Sequence, residues 1–310
     1  MDSILEILIP TFNRADFLER NLNELCQQIS FLGKEDLIFV SVSDNASEDH
    51  TAQIVNLIKE EYPTIHLNYF TQYKNIGLEP NVVSLMQKAA AKYVMWLGDD
   101  DYLAKGYLDF VWETITNENV GCIIPGIQNV FKDGSIQPAR IADYDVRKLP
   151  PGFDSVLEFS HLGHQMSGIV LLRDHLIDSY LEKPQYRNPY LFIYWVAQCL
   201  LKWGGKYAPQ FKTSITTFNE KDWGYNKVGL IDEVFRSYYF FEDQLDEGEL
   251  TSLLLRFSVQ HSYRYRISWR RPFRLLRQYL YIINTVPNYR GLKINLLIQL
   301  VKDYVISFRK

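Results

Sequence analysis

Tyr93-Val94-Met95-Trp96-Leu97-Gly98-Asp99-Asp100-Asp101-Tyr102-Leu103 decides how this chain is read. Five mostly apolar residues run into one glycine and then into three consecutive carboxylates. The apolar run is short, aromatic and β-branched, which predicts a buried strand. Its end places like charges side by side at the edge of a core, where ionisation is costly unless a cation or hydrogen-bond donors compensate. Hard oxygen ligands of this kind suit Mg²⁺ or Mn²⁺, which take one or two protein carboxylates and fill the other positions with water and substrate phosphates. One reading is a metal–diphosphate site at the carboxyl end of a central strand. The other is an acidic turn before a helix whose N-terminus favours negative charge. Taken alone, the triplet leaves the two even.

The flanking sequence tips that balance. Ile4 to Ile9 is an apolar strand stopped by Pro10, with Thr11-Phe12-Asn13-Arg14 as its exit loop, and Ala15 to Phe31 follows at helical spacing. Leu37 to Val42 is the next strand, ending in Ser43-Asp44-Asn45-Ala46-Ser47-Glu48-Asp49, where Ser47 is expected to cap the following helix. Ile65 to Phe70 is the third, followed by Lys74-Asn75-Ile76-Gly77-Leu78 and a helix from about Pro80. A helix around Lys105 to Thr116 and a strand at Val120 to Pro125 follow the carboxylates. Strand, loop and helix alternate four times in this span, the pattern of a parallel sheet covered by helices on both faces. Ligands of such sheets sit outside the carboxyl ends of the strands. Every polar cluster named here falls at such an end.

The second half is less regular. A hairpin is expected at Gln128 to Ile136 around Asp133-Gly134, a strand at Ser167 to Leu172, an apolar helix at Pro189 to Trp203 and a strand at Phe211 to Phe218. A polar loop, Asn219 to Lys227, follows, and from Leu230 the pattern is helical with breaks at Pro272 and Pro287.

Composition bounds the function. The chain has 310 residues, 47% apolar and 23% charged, which is globular, and 21 Tyr point to carbohydrate, lipid-interface or protein contacts. Cys26, Cys122 and Cys199 lie far apart in apolar surroundings and read as reduced core residues. Met1-Asp2-Ser3 lacks the basic start of a signal peptide and no apolar run is long enough to span a bilayer, so a cytoplasmic protein is expected. The net charge of −4 conceals a split. Arg256 to Lys310 holds nine Arg and three Lys against Asp303, a charge of +11, while the other residues carry −15. An anionic partner for the tail follows from that asymmetry.

Ile9-Pro10-Thr11-Phe12-Asn13-Arg14, Ser43 to Thr51, Asn75-Ile76-Gly77 and Gly98-Asp99-Asp100-Asp101 resemble, in order and spacing, the nucleotide-sugar half of family-2 glycosyltransferases of GT-A fold. The resemblance covers about the first 130 residues closely and then fades. It implies an α/β, Rossmann-like, mostly parallel sheet with a helical C-terminal extension: a transferase domain over 1–228 (nucleotide-sugar half 1–130, acceptor half 131–228) and a basic helical region over 229–310. The Gly-Asp-Asp-Asp form and the basic tail look most like bacterial surface-polysaccharide enzymes, including O-antigen transferases of the abequosyltransferase type. In this pattern Asp101 is the ligand of Mn²⁺ or Mg²⁺, Asp99 lies near ribose or metal, and Asp100 lies between them. Asp44 accepts from the imino group of the base, as uracil or thymine would require; a UDP-sugar is the expected donor, with dTDP-, CDP- or GDP-sugars as the alternatives. Pro10, Thr11, Asn13 and Arg14 frame base and phosphate, and Asn75 and Gly77 line the base or ribose pocket. The expected activity is metal-dependent, inverting transfer of a sugar to a lipid-linked glycan.

The chain departs from the family on the acceptor side. Inverting members place an acid at the start of the helix after the Ser167 strand, whereas Tyr186-Arg187-Asn188-Pro189-Tyr190-Leu191-Phe192 has none. The general base such a transfer needs must be sought among His161, His164, Asp178, Glu182 and Asp222. His164 sits just before a strand leading to the site and has a suitable pKa range. Asp222 lies in a loop placed where such enzymes close over the donor, with Trp223 and Tyr225 able to stack and Gly224 able to move. A non-catalytic glycan-binding or membrane-tethering protein on the same fold is the alternative, favoured by the missing acid.

Ser268 to Ile283 interleaves Arg with Trp, Phe, Tyr and Leu, the pattern of an interfacial membrane helix at the inner face of the plasma membrane. No nucleic-acid-binding signature accompanies the charge. The competing role for the tail is pairing with the acidic body of the same or a neighbouring subunit, which would make a homo-oligomer. A dehydrogenase is excluded for want of a G-x-G-x-x-G turn, and a sugar-phosphate nucleotidyltransferase because Pro10 to Arg14 contains no glycine.

Overall fold

Strand β1 (Leu5–Thr11) is buried along its whole length, as a strand covered on both faces must be. The computed structural model describes residues 3–139, 145–218, 231–265 and 267–309. β1 is flanked in parallel by β2 (Ile38–Asp44) and β4 (Tyr93–Trp96), and β2 by β3 (Leu67–Thr71). It does not stop at Pro10, since the register with β2 runs on through Pro10↔Ser43 and Thr11↔Asp44. Successive side chains alternate between two cores. Leu5, Ile7, Ile9, Tyr93 and Met95 face α1 (Ala15–Leu32), α2 (Thr51–Glu61) and α4 (Tyr107–Asn117). Leu8, Val94 and Trp96 face α3 (Leu78–Lys88) and the later helices. Glu6 is the one acid inside β1. Its carboxylate accepts from Ser41 Oγ (2.6 Å) and from the backbone N–H of Ala90 (2.9 Å), so its burial is compensated.

An unbroken run of parallel neighbours holds only in this half. The sheet order is β3-β2-β1-β4-β8-β5-β9-β7, so β5 (Cys122–Val130), the strand after α4, does not lie beside β4. Between them sits β8 (Val170–Leu172), antiparallel to both. β5 turns into β6 (Ile136–Pro138) as the expected hairpin and pairs in parallel with the long β9 (Gly205–Thr216), which pairs in turn with β7 (Arg147–Leu149).

Helix α5 (Phe153–Phe159) leads through a 3₁₀ turn, Ser160–His164, toward β8, and α6 (Leu176–Leu181) leads away from it. α7 (Leu191–Trp203) is buried on every side from Leu191 to Leu200, so it can only be a central helix. One face stacks Trp195 on Trp96 of the sheet, ring centroids 5.7 Å apart. The other carries Tyr194 against Phe240, 4.2 Å away just after α8 (Ile231–Tyr239). α8 and α9 (Glu247–Gln260) thus close the same core as the sheet, and the expected division at 228/229 falls outside the described residues. Pro272 opens α10 (Pro272–Thr285) at a position where its missing N–H costs nothing, and α11 (Leu292–Ile306) follows. Ile282, Val286, Leu292, Leu296 and Leu300 join both helices to the core, while Phe273, Leu276, Leu280, Ile294 and Val301 face outward. Among the described residues no helix is long and apolar enough to cross a membrane.

Candidate active site

Strands β1 to β4 end in, or run directly into, polar residues, and hydrogen bonds link these ends. From β1, Thr11 Oγ1 donates to Asp99 Oδ2 at 2.8 Å. Arg14 Nη1 pairs with Asp100 at 2.6 Å and lies 3.7 Å from Asp99, so it offsets part of the triplet's charge from the β1 loop. Asn13, in the left-handed region at φ 52°, accepts the Glu48 N–H on its Oδ1 and donates its own N–H to Ser47. Ser47 does not cap α2, which starts four residues later and is held at its first turn by Asp49 accepting from Thr51. Its hydroxyl donates instead to Asp44 Oδ1 (2.6 Å), and Tyr69 donates to Asp44 Oδ2 (2.6 Å). Burial and the Asp44 charge push the Tyr69 phenol well above its ordinary range, so it stays a donor. Asn45 Nδ2 donates to Asn75 Oδ1, which also accepts the N–H of Gly77, tying the loop after β2 to the loop after β3. Pro10, beside Ser43 in the register, completes the row.

The triplet itself is buried: Asp99, Asp100 and Asp101 are 7%, 4% and 5% exposed. Burial first, then the charges of Asp100 and Asp101, raise the Asp99 carboxyl to about 7, against the opposing pull of Arg14 and Thr11. Asp101 is fixed from the second half of the chain. Oδ2 accepts from Ser167 Oγ (2.5 Å), just before β8, and Oδ1 from the backbone N–H of Thr216 (3.1 Å), at the end of β9. Ser167 also accepts the N–H of Gly98 (3.0 Å). A Cβ on Gly98 would meet Asp101 Oδ2 at 2.7 Å, which is why glycine precedes the acids. Asn21 of α1 donates from Nδ2 to the carbonyls of Gly98 and Asp101, holding the turn.

Pro10, Thr11, Asn13, Arg14, Asp44, Asn75, Gly77 and Asp99 to Asp101 therefore all lie at the carboxyl ends of β1 to β4 or in the loops that follow them, and hydrogen bonds or strand register link them. The two acceptor-side candidates part company. His164 lies beside His161 and His261, and Asp222 lies outside the described residues, as does the loop Asn219 to Lys227. Sequence reasoning did not single out Asn21, Asn45, Ser167 or Thr216. Asn45, Ser167 and Thr216 carried only the generic signal of small polar residues at or beside predicted strands, and Asn21, inside α1, carried none.

This arrangement is matched by the Glycosyl transferase family 2 model over residues 6–180, more than half of the chain. The chain belongs to glycosyl transferase family 2. Abequosyltransferase RfbV of Salmonella typhimurium is 32% identical over 105 residues, 34% of this chain and 30% of that protein. GalNAc(5)-diNAcBac-PP-undecaprenol beta-1,3-glucosyltransferase of Campylobacter jejuni is 29% identical over 138 residues, 42% of each. The matched stretches thus span less than half of either relative. S. aureus TarS 1-349 in complex with UDP-GlcNAc shares the fold at TM-score 0.63 and 17% identity, over 96% of this chain and 81% of that one. Mannosyltransferase PcManGT of Pyrobaculum calidifontis, in complex with GDP-Man and Mn²⁺, aligns at TM-score 0.53 and 12% identity, over 98% and 88%.

Proposed function

We propose that this family-2 chain transfers a sugar, with inversion, from a nucleotide-diphosphate donor to a lipid-linked glycan at an anionic membrane surface. The observation that carries this reading is the buried carboxylate triplet at the end of β4, bonded to the loops of β1, β8 and β9. A cluster whose burial and mutual repulsion raise Asp99 to about 7 suits a divalent cation, and all-oxygen donors suit Mn²⁺ or Mg²⁺. Asp101, with Asp99, would hold that ion, which when bound supplies a Lewis acid for the departing diphosphate. Ser167 and Thr216 fix the Asp101 carboxylate, and Thr11 fixes Asp99. Asp44, turned by Ser47 and Tyr69, is assigned to the imino group of a uracil or thymine base, and the Asn45–Asn75 bridge shapes the pocket wall. In the transfer the bond from the anomeric carbon to the phosphate oxygen breaks and its electron pair leaves with the diphosphate. The acceptor oxygen bonds to the opposite face of that carbon, and its proton passes to a base, for which His164 and Asp222 are the candidates.

The lipid-linked acceptor rests on two supports. The Campylobacter relative carries an undecaprenol-linked acceptor in its name. Phe273, Leu276 and Leu280 are exposed on α10, which carries Arg274 and Arg277 and follows Arg270 and Arg271, apolar and cationic together.

Thermal shift with UDP, dTDP, CDP and GDP, each with and without Mn²⁺, followed by sugar-nucleotide hydrolysis, tests the proposal. One nucleotide should bind with metal stimulation, and Asp101→Asn should abolish hydrolysis and the metal-stimulated part of binding while melting normally. Binding of none of the four, or unchanged metal stimulation in the variant, would overturn it.

A further inference from the structure

Three histidines meet behind the acceptor side. His161 and His164 stand on the 3₁₀ turn after α5, and His261 closes α9, one hundred residues later. One ring nitrogen of each lies within 4.8 Å of the other two. Nδ1 of His161 is 3.1 Å from Nε2 of His261. In a tetrahedral site with metal–nitrogen bonds of about 2.0–2.1 Å, two ligand nitrogens stand roughly 3.3–3.4 Å apart, so this pair already spans one edge. Each of the two edges to His164 is at most 4.8 Å long, so closing them requires a shift of roughly 1.4 Å at most, within the reach of a side-chain torsion.

The second contacts of the His164 and His261 rings are those of metal ligands. Nδ1 of His164 bonds the backbone carbonyl of His161 at 2.8 Å, and because a carbonyl only accepts, Nδ1 carries the proton. In the neutral ring the lone pair is then on Nε2. A histidine that ligates through one nitrogen ordinarily donates from the other in this way. Nδ1 of His261 faces the Tyr263 hydroxyl at 3.4 Å, which leaves its Nε2 toward His161. The Phe257 ring stacks on His261, centroids 4.3 Å apart, and fixes its plane. His261 is 5% exposed, and His161 and His164 are half-buried.

From this geometry we infer that His161, His164 and His261 form a site for a borderline divalent transition ion of the Zn²⁺ class. Three imidazoles suit Zn²⁺ or Co²⁺, whereas the carboxylates of the donor site suit Mg²⁺ or Mn²⁺, so the two sites select different metals. The ion staples the end of α9 to the segment that begins three residues before Ser167, the residue that holds Asp101. It links the C-terminal helices to the geometry of the triplet. A His164 bound through Nε2 has no lone pair for an acceptor proton, which leaves the carboxylates Asp178, Glu182 and Asp222 as candidate bases.

The test uses the full chain without a histidine tag, cleared of metal and titrated with Co²⁺. One Co²⁺ per chain should give the visible absorption of a tetrahedral site, be displaced by Zn²⁺ and raise the melting temperature. His261→Asn and His164→Asn should each lose the band and the stabilisation, and Tyr263→Phe should weaken binding about tenfold. Asp101→Asn should keep both, which separates this site from the donor site. Absence of a tetrahedral band in the folded wild-type chain overturns the inference, and that reading needs no variant to fold. A band that survives in His261→Asn and His164→Asn, or disappears in Asp101→Asn, overturns it as well.

Discussion

Ser167→Ala removes one hydroxyl with two partners, 66 residues from the carboxylate that it serves. The variant loses a hydrogen bond to the Asp101 carboxylate (2.5 Å in the wild type) and leaves the Gly98 N–H without its acceptor. A hydrogen bond to a charged group contributes roughly 1.5–3 kcal/mol, and an orphaned buried donor costs roughly 1–3 kcal/mol. With partial relaxation, the metal-free protein should lose roughly 2–4 kcal/mol of stability, read from urea unfolding in chelator. The second effect is the informative one. A group that orients a metal ligand typically affects metal affinity or activity by about 10–100-fold. Calorimetry of nucleoside diphosphate binding should therefore show the Mn²⁺-stimulated affinity falling by about that factor, with metal-free affinity unchanged. Gly98→Ala approaches the same contact from the other side and should act in the same direction. Lower stability with full Mn²⁺ stimulation would refute the argument, because Ser167 would then hold the turn without serving a metal ligand.

In chelator, the raised Asp99 carboxyl binds more protons in the folded than in the unfolded chain between about pH 4 and 7. Its contribution to stability is complete below about pH 4 and is lost as the pH rises through about 7, so Asp99→Asn should gain in melting temperature relative to wild type from pH 5 to pH 8. A pH-independent difference would show that burial does not perturb Asp99. Asp44→Ala should weaken nucleotide binding by roughly 1.5–3 kcal/mol and keep its Mn²⁺ stimulation; equal affinities by calorimetry would make Asp44 a partner of Ser47 and Tyr69 alone. Replacing Arg270, Arg271, Arg274 and Arg277 with Gln should lower sedimentation with anionic vesicles and activity on a lipid-linked acceptor, with donor hydrolysis unchanged. The wild-type interaction should weaken as salt screens exposed charge over about 8 Å at physiological ionic strength. A lower melting temperature, with little vesicle binding by either protein, would instead make the tail a structural element.

The four loops at the ends of β1 to β4 were legible because local rules govern them. A strand covered on both faces is mostly apolar and its exit is polar, as in Trp96-Leu97-Gly98-Asp99. Those rules placed Thr11, Asp44, Asn75 and the triplet together at one sheet edge before any contact was known. They failed where a residue had two local options. Pro10 looked like a stop, yet the pairing with β2 carries β1 past it, and Ser47 looked like a helix cap but turns back to Asp44.

The other half of the site was decided by tertiary structure. Strand β8 reads as a plausible strand, but nothing in Val170-Leu171-Leu172 says that it enters antiparallel between β4 and β5. That insertion brings Ser167 to Asp101, and the parallel run of β9 beside β5 brings Thr216 from 115 residues away. His161 and His164 meet His261 because α9 packs on α5 against a core that the sheet alone could not close. Periodicity reports which face of an element is buried and where the element ends. It carries no information about which distant element supplies the other side, because that partner is chosen by the packing of the whole core.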